Sequence, residues 1–216
     1  MNPVKAVLFD FGQVLSLPPD PVIWQQILAI SGLSEADLDR EYWAHRHEYD
    51  RGTFTGQAYW EKVASGSQTS FTSTQIDALI TADIELWSRL NLPMVEWAQR
   101  LQRAGIPTGI LSNIGDAMAE GLLTKFNWIG AFDHCIWSHA LKLAKPEAAI
   151  YGCAANGLAT DPAHILFIDD RQENIDAALA AGMQAIQYRN HADFEQEMHQ
   201  RGLDSLLHLS AELPTR

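Results

Sequence analysis

The chain predicts an α/β fold, a doubly wound parallel sheet with an all-helical insert after its first strand. Three observations predict it. Short apolar runs at 7–9, 108–111 and 165–168 have no polar alternation, as strands covered on both faces require. From Asn91 onward strand and helix patterns alternate, which implies parallel strands joined by right-handed crossovers. Between residues 22 and 90 only helical patterning appears.

The elements follow in order. The first strand covers 5–10 and stops at an acid, Asp10, with Gly12 two residues on. Pro18, Pro19 and Pro21 then break regular structure and mark an exit from the sheet layer. Helices are expected over 22–30, 34–49, 55–64 and 73–90, the second opened by Ser34 as a cap. The segment Asn91-Leu92-Pro93 returns the chain to the core. A helix over 94–104 ends at Gly105-Ile106-Pro107, and a strand over 108–111 leads into Ser112-Asn113. Further strands are expected over 134–137, 165–169 and 183–188, separated by helices over 116–126, 147–156 and 173–181. The core is thus 1–17 and 91–216, and the insert 18–90. Strand tips bearing Asp10, Ser112 and Asp169-Asp170 lie where open α/β sheets place ligands.

With 216 residues and 47% hydrophobic content, the chain can bury one large core, and 19% charged residues argue against disorder. A net charge of −12 argues against nucleic acid or an anionic membrane as the main partner. No stretch approaches the ~20 apolar residues of a bilayer span, and no secretory leader is evident, so a cytoplasmic location is expected. Cys135 and Cys153 form no C-x-x-C pair and are expected as reduced, buried thiols.

Four segments carry a family resemblance that spans nearly the whole chain. Phe9-Asp10-Phe11-Gly12-Gln13-Val14-Leu15 resembles the first motif of the haloacid dehalogenase superfamily. Leu111-Ser112-Asn113 is similar to the second, Lys142-Leu143-Ala144-Lys145-Pro146 to the third, and Phe167-Ile168-Asp169-Asp170-Arg171 to the fourth. The resemblance implies a Rossmann-like core with an alpha-helical cap. It also implies a hydrolase acting on a small phosphorylated metabolite, with Mg²⁺ as cofactor and an aspartyl-phosphate intermediate. Asp10 would be the nucleophile, and Lys145, followed by a helix-opening Pro146, the lysine that screens it; Lys142 competes for that role. Asp10, the carbonyl of Gly12, Asp169 and Asp170 would hold the metal, Asp170 directly and Asp169 through water. Ser112 and the Asn113 N–H would meet the phosphoryl oxygens at a helix N-terminus, and Asn174 would steady the lysine or the metal ligands.

One departure matters. Most phosphatases of the superfamily carry a second Asp at the position of Gly12, as general acid and base, a function typically worth ~10²–10⁴ in rate. A substrate with a good leaving group, such as a hexose 1-phosphate or another sugar phosphate, would tolerate its loss, and the Asp-x-Gly-x-Val opening resembles that of sugar-1-phosphate phosphatases. Two alternatives remain open: a 2-haloacid-type dehalogenase, and a module that binds a phosphometabolite or a protein without catalysis. In the insert, His47, Arg51 and Trp60 are candidate substrate contacts, with His47 or Asp20 as a substitute acid–base group and Arg46 or Arg51 as a site for a second anion. Oligomeric state is not encoded in any feature of the sequence.

Overall fold

The computed structural model describes residues 3–209. Met1, Asn2 and residues 210–216, part of the expected core segments, lie outside the described residues. A five-stranded, all-parallel sheet runs in the order β3-β2-β1-β4-β5. Its strands are β1 (Ala6–Phe9), β2 (Thr108–Ser112), β3 (His134–Trp137), β4 (Ile165–Asp169) and β5 (Gln184–Gln187). β1 is central, with Phe9 beside Ile110 on one flank and Ile168 on the other.

Burial of the sheet on both faces explains the unbroken apolar runs. Val7, Phe9, Ile110 and Ile168 point to one face, which packs on Trp97, Phe194 and Met198. These come from α6 (Leu92–Arg103) and α11 (His191–Gln200). Ala6, Leu8, Leu111 and Phe167 point to the other face, against Tyr151, Ala154, Ile175 and Ala178. Those belong to α9 (Ala148–Gly157) and α10 (Gln172–Ala180), which follow α7 (Asp116–Lys125) and α8 (Ser138–Leu141) along the chain. Strand alternation therefore feeds two separate apolar layers.

Five helices fill the chain between β1 and α6. They are α1 (Pro21–Ser31), α2 (Glu35–Ala44), α3 (Arg46–Asp50), α4 (Gly56–Gly66) and α5 (Ser73–Leu86). Asp20, Ser34, Thr55 and Thr72 each cap one through a side-chain oxygen, as these residue types do at helix N-termini. The expected single helix over 34–49 is broken at His45, so α2 and α3 part there. The chain leaves and re-enters the core along one seam: Leu17 N–H donates to Arg89 O (2.7 Å) and Asn91 N–H to Leu15 O (2.9 Å). The buried Asn91 amide fastens that seam, donating to Val14 O and to Tyr188 Oη, both at 2.8 Å.

Two expectations need correction. Pro146 does not open a helix: α9 starts two residues later, and the Lys145–Pro146 bond is cis. Cys135 and Cys153 are free thiols but only half-buried, Cys135 because β3 is an edge strand. No helix among the described residues is long and apolar enough to cross a membrane.

Candidate active site

Parallel strands bring their C-terminal ends to one edge of the sheet, and there the four motifs meet. Asp10 follows β1, Ser112 ends β2, and Asp169-Asp170 ends β4. Asp10 Oδ1 accepts from its neighbour's N–H, Phe11 N, at 2.7 Å. Lys145 Nζ lies 2.9 Å from the same oxygen and donates to Asp169 Oδ2 at 2.7 Å. Neither contact uses Asp10 Oδ2. Lys145 is only 3% exposed, so this bridge lies inside the protein. Burial pulls its ammonium down, but Asp10 and Asp169 together outweigh that and hold it above its ordinary range.

Lys145 is aimed by its backbone. The Asn113 side chain takes Lys145 N–H on Oδ1 (2.8 Å) and gives Nδ2 to Lys145 O (2.9 Å). Asn113 thus splints the third motif to the second. Lys142 points elsewhere: its ammonium donates to Gly52 O in the helical insert.

The acids differ in how far they are committed. Asp169 is fully buried, with Oδ1 accepting from Arg171 N–H and from Asn174 Nδ2, both at 2.9 Å. Asp170 Oδ2 accepts from Gln13 Nε2 at 2.8 Å. Gln13 sits at φ 58°, a left-handed conformation uncommon for a side chain of its kind. Sequence reasoning missed it, and its position beside Gly12 was the one available signal. Burial is the main reason Asp10 is pushed up to about 7; Lys145 opposes the rise, and Asp169 and Asp170 add to it. Burial, then Asp169, raises Asp170 as well.

A metal ion fits this arrangement. Asp10, Asp169 and Asp170 each present a carboxylate oxygen, all within 4.8 Å of one another. Three acids against one lysine leave a negative excess, and an all-oxygen donor set suits a hard divalent cation such as Mg²⁺. Asn174 Oδ1, beside this cluster, is buried with no partner among the described residues. Asp170 has the freer carboxylate, and Asp169 is the more occupied by protein donors.

The cavity above these groups has a volume of about 560 Å³ and is walled on one side by the helical insert. His47 lines it, exposed at the mouth. Arg46 lines it too, flanked by Asp50 and Asp83. Two expected contacts do not reach it. Trp60 is 1% exposed and packs on Tyr42 and Tyr59, because its helix turns its apolar face inward. Arg51 is drawn away by Glu147. Asp20 is occupied in capping α1. The helix α7 (Asp116–Lys125), expected to receive an anion, has a closed N-terminus. Asp116 Oδ1 accepts from Ala117 N–H at 2.7 Å and Gly56 N–H at 2.9 Å, and Asp50 accepts from Gly115 N–H.

The insert is seated on the core through small contacts. Ser138 Oγ donates to Asp50 O and accepts from Ile114 N–H. A Cβ on Gly115 would meet the Tyr49 ring at 2.1 to 2.5 Å. Gly115 has φ −75°, so alanine is refused there by Tyr49 and not by the backbone. Gly115→Ala is expected to lift the insert from its seat. Overpacking of this kind costs about 1–3 kcal/mol, so turnover should fall and Tm should drop, read by paired kinetic and thermal-unfolding assays.

A model of the haloacid dehalogenase-like hydrolases matches residues 4–182. The chain belongs to this family. Among haloacid dehalogenase-like relatives, (S)-2-haloacid dehalogenase 1 of a Pseudomonas strain is 25% identical over 204 residues. That match spans 86% of this chain and 85% of the relative. Sesquiterpene phosphatase astK of Aspergillus oryzae is 24% identical over 184 residues, 83% of this chain and 87% of the other. A HAD family enzyme of Bacteroides thetaiotaomicron superposes with a TM-score of 0.74 at 19% identity, over 91% of this chain and 99% of that one. Its wild-type complex with magnesium and inorganic phosphate gives a TM-score of 0.70 at 20% identity, over 86% and 94%. The haloacid dehalogenase-like family includes both dehalogenases and phosphatases, so the site has to decide between them.

Proposed function

We propose that the protein is a Mg²⁺-dependent phosphatase that hydrolyses a small phosphorylated metabolite through an aspartyl-phosphate on Asp10, with segment 18–90 as its cap. The observation that carries this reading is the oxygen triad of Asp10, Asp169 and Asp170 around a buried Lys145. Displacement of halide by a carboxylate needs no such cluster, whereas transfer of an anionic phosphoryl group to a carboxylate does. A phosphatase among the relatives and a magnesium–phosphate complex of a fold neighbour support the same choice.

In this reading Asp10 supplies the nucleophilic oxygen, forming an ester to phosphorus as the substrate P–O bond breaks. Lys145 holds Asp10 in place and screens it from the incoming phosphate. The Ser112 hydroxyl and the Asn113 N–H steady phosphoryl oxygens. Asp10, Asp170 and the Gly12 carbonyl would hold Mg²⁺, with Asp169 acting through water, and the ion would supply charge neutralisation between phosphate and carboxylate. Water then hydrolyses the aspartyl-phosphate.

The dehalogenase reading is favoured by the 25% match to an (S)-2-haloacid dehalogenase and by Gly12. One experiment separates the two. Phosphate release from a panel of monophosphates should require Mg²⁺ and vanish with a chelator, and 2-chloropropionate should release no halide. Halide release that ignores the chelator, with no phosphate released from any ester, would sink the phosphatase reading.

A further inference from the structure

Away from the phosphoryl end, the cavity changes character. Its apolar lining is Phe11, Trp87, Ile114, Met118 and Leu122, with the exposed Trp43 beside them. Trp43 is 49% exposed, an uncommon position for so large an apolar side chain. The charged groups at this end are already matched. Arg46 Nε donates to both oxygens of Asp50, at 3.0 and 3.2 Å, and Nη1 to both oxygens of Asp83, at 3.2 and 3.1 Å. Arg46 is thus committed to Asp50 and Asp83 and is not free to take a second phosphate or a carboxylate of the substrate. A polyol needs several free donors and acceptors. Here Asp50 is spent on Arg46 and Gly115, which leaves His47 as a single polar side chain at the mouth.

Position 12 gives independent information. Gly12 has an ordinary φ of −63°, and a Cβ there would come within 3.9 Å of the Trp87 ring. A side chain at 12 would therefore project from the nucleophile loop towards Trp87. With glycine no acid stands there, which favours a leaving oxygen that can depart as an anion. A phenol, with a pKa of about 10, departs that way far more readily than an alkyl alcohol.

We propose that the substrate is the monophosphate of an uncharged, phenol-like alcohol, its ring seated against Trp87 and Met118. This rests on the phosphatase reading and deepens it, replacing a sugar with an apolar leaving group. The bond from Asp10 to phosphorus forms as the P–O bond to the ring oxygen breaks. The electron pair leaves on the phenolate, which takes a proton from bulk water. A water molecule then adds at phosphorus and breaks the acyl-phosphate bond, restoring Asp10 and giving inorganic phosphate, with the water proton released to solvent.

The test is phosphate release, with Mg²⁺, from acetyl phosphate, naphthyl phosphate, cyclohexyl phosphate and glucose 1-phosphate. Naphthyl phosphate is expected to exceed glucose 1-phosphate by roughly 100-fold in kcat/KM, since both apolar burial and leaving ability favour it. Cyclohexyl phosphate shares the apolar body but not the leaving ability, so its KM should lie about tenfold below that of glucose 1-phosphate. A KM for glucose 1-phosphate at or below that of cyclohexyl phosphate, with acetyl phosphate still turned over, would overturn the apolar pocket and leave the phosphatase standing. No release even from acetyl phosphate would overturn the phosphatase reading and this one with it. Gly12→Asp provides a second measurement: kcat should rise more for cyclohexyl than for naphthyl phosphate. An equal change for both would overturn the leaving-group argument.

Discussion

Asp10→Asn should lose at least about 10³-fold in kcat, or ~4 kcal/mol of barrier lowering, because an amide cannot serve as the attacking carboxylate. The fold should survive, since an Asn oxygen can still accept the Phe11 N–H that Asp10 accepts at 2.7 Å. Stability should move in the opposite direction to activity when measured with a chelator. Burial holds the Asp10 carboxyl up at about 7, against 3.8 in the unfolded chain. An acid raised in the folded state costs stability as pH climbs past its unfolded value, and the cost is complete above its folded one. Asparagine removes that cost at neutral pH and above, so Tm should rise by a few degrees, given about 2–4 °C per kcal/mol for a chain of this size. Kinetic and calorimetric runs on one sample test both halves. A variant that keeps most of its turnover would remove Asp10 from the nucleophile's role.

Lys145→Met should fail on both counts. The substitution keeps the aliphatic stem but leaves Asp10 and Asp169, two buried acids, facing each other without a cation. Breaking a buried pair by removing one partner typically costs ~3–5 kcal/mol, so the melting temperature should fall by about 6–20 °C. Activity should fall by about 10²-fold or more, because the nucleophile loses its anchor and its screen. Added Mg²⁺ should raise the Tm of this variant more than that of the wild type, since a cation again enters the acid cluster. A Tm within a degree of wild type would show that the bridge contributes little to the fold.

The parts of the site that the sequence reveals are those carried by strand ends. Asp10, Ser112 and Asp169 terminate apolar runs, and parallel pairing about a central β1 must bring such tips to one edge. Local patterning therefore located them without any knowledge of distance. The helical insert was harder, because its wall depends on contacts across the sequence. Arg46 meets Asp83 through a pairing 37 residues long, and Lys142 meets Gly52 through one of 90. Part of that network was still visible: Tyr42, Arg46 and Asp50 recur every four residues, a helical spacing that persists across the break between α2 and α3. Trp60 misled because a tryptophan near aromatic neighbours fits a stacking platform and a buried core equally well. Its helix places it inside, and the exposed Trp43 lines the cavity instead. The break at His45 separates α2 from α3 without any proline or glycine to announce it.

The double hydrogen bond between Asn113 and Lys145 has a consequence for protein engineering. The loop after β2 and the lysine loop are tied together, because a single amide clasps both backbone groups of Lys145. Transplanting the lysine motif alone into another scaffold would deliver an ammonium with no fixed bearing. The transferable unit is the pair of loops, with the asparagine as its hinge pin.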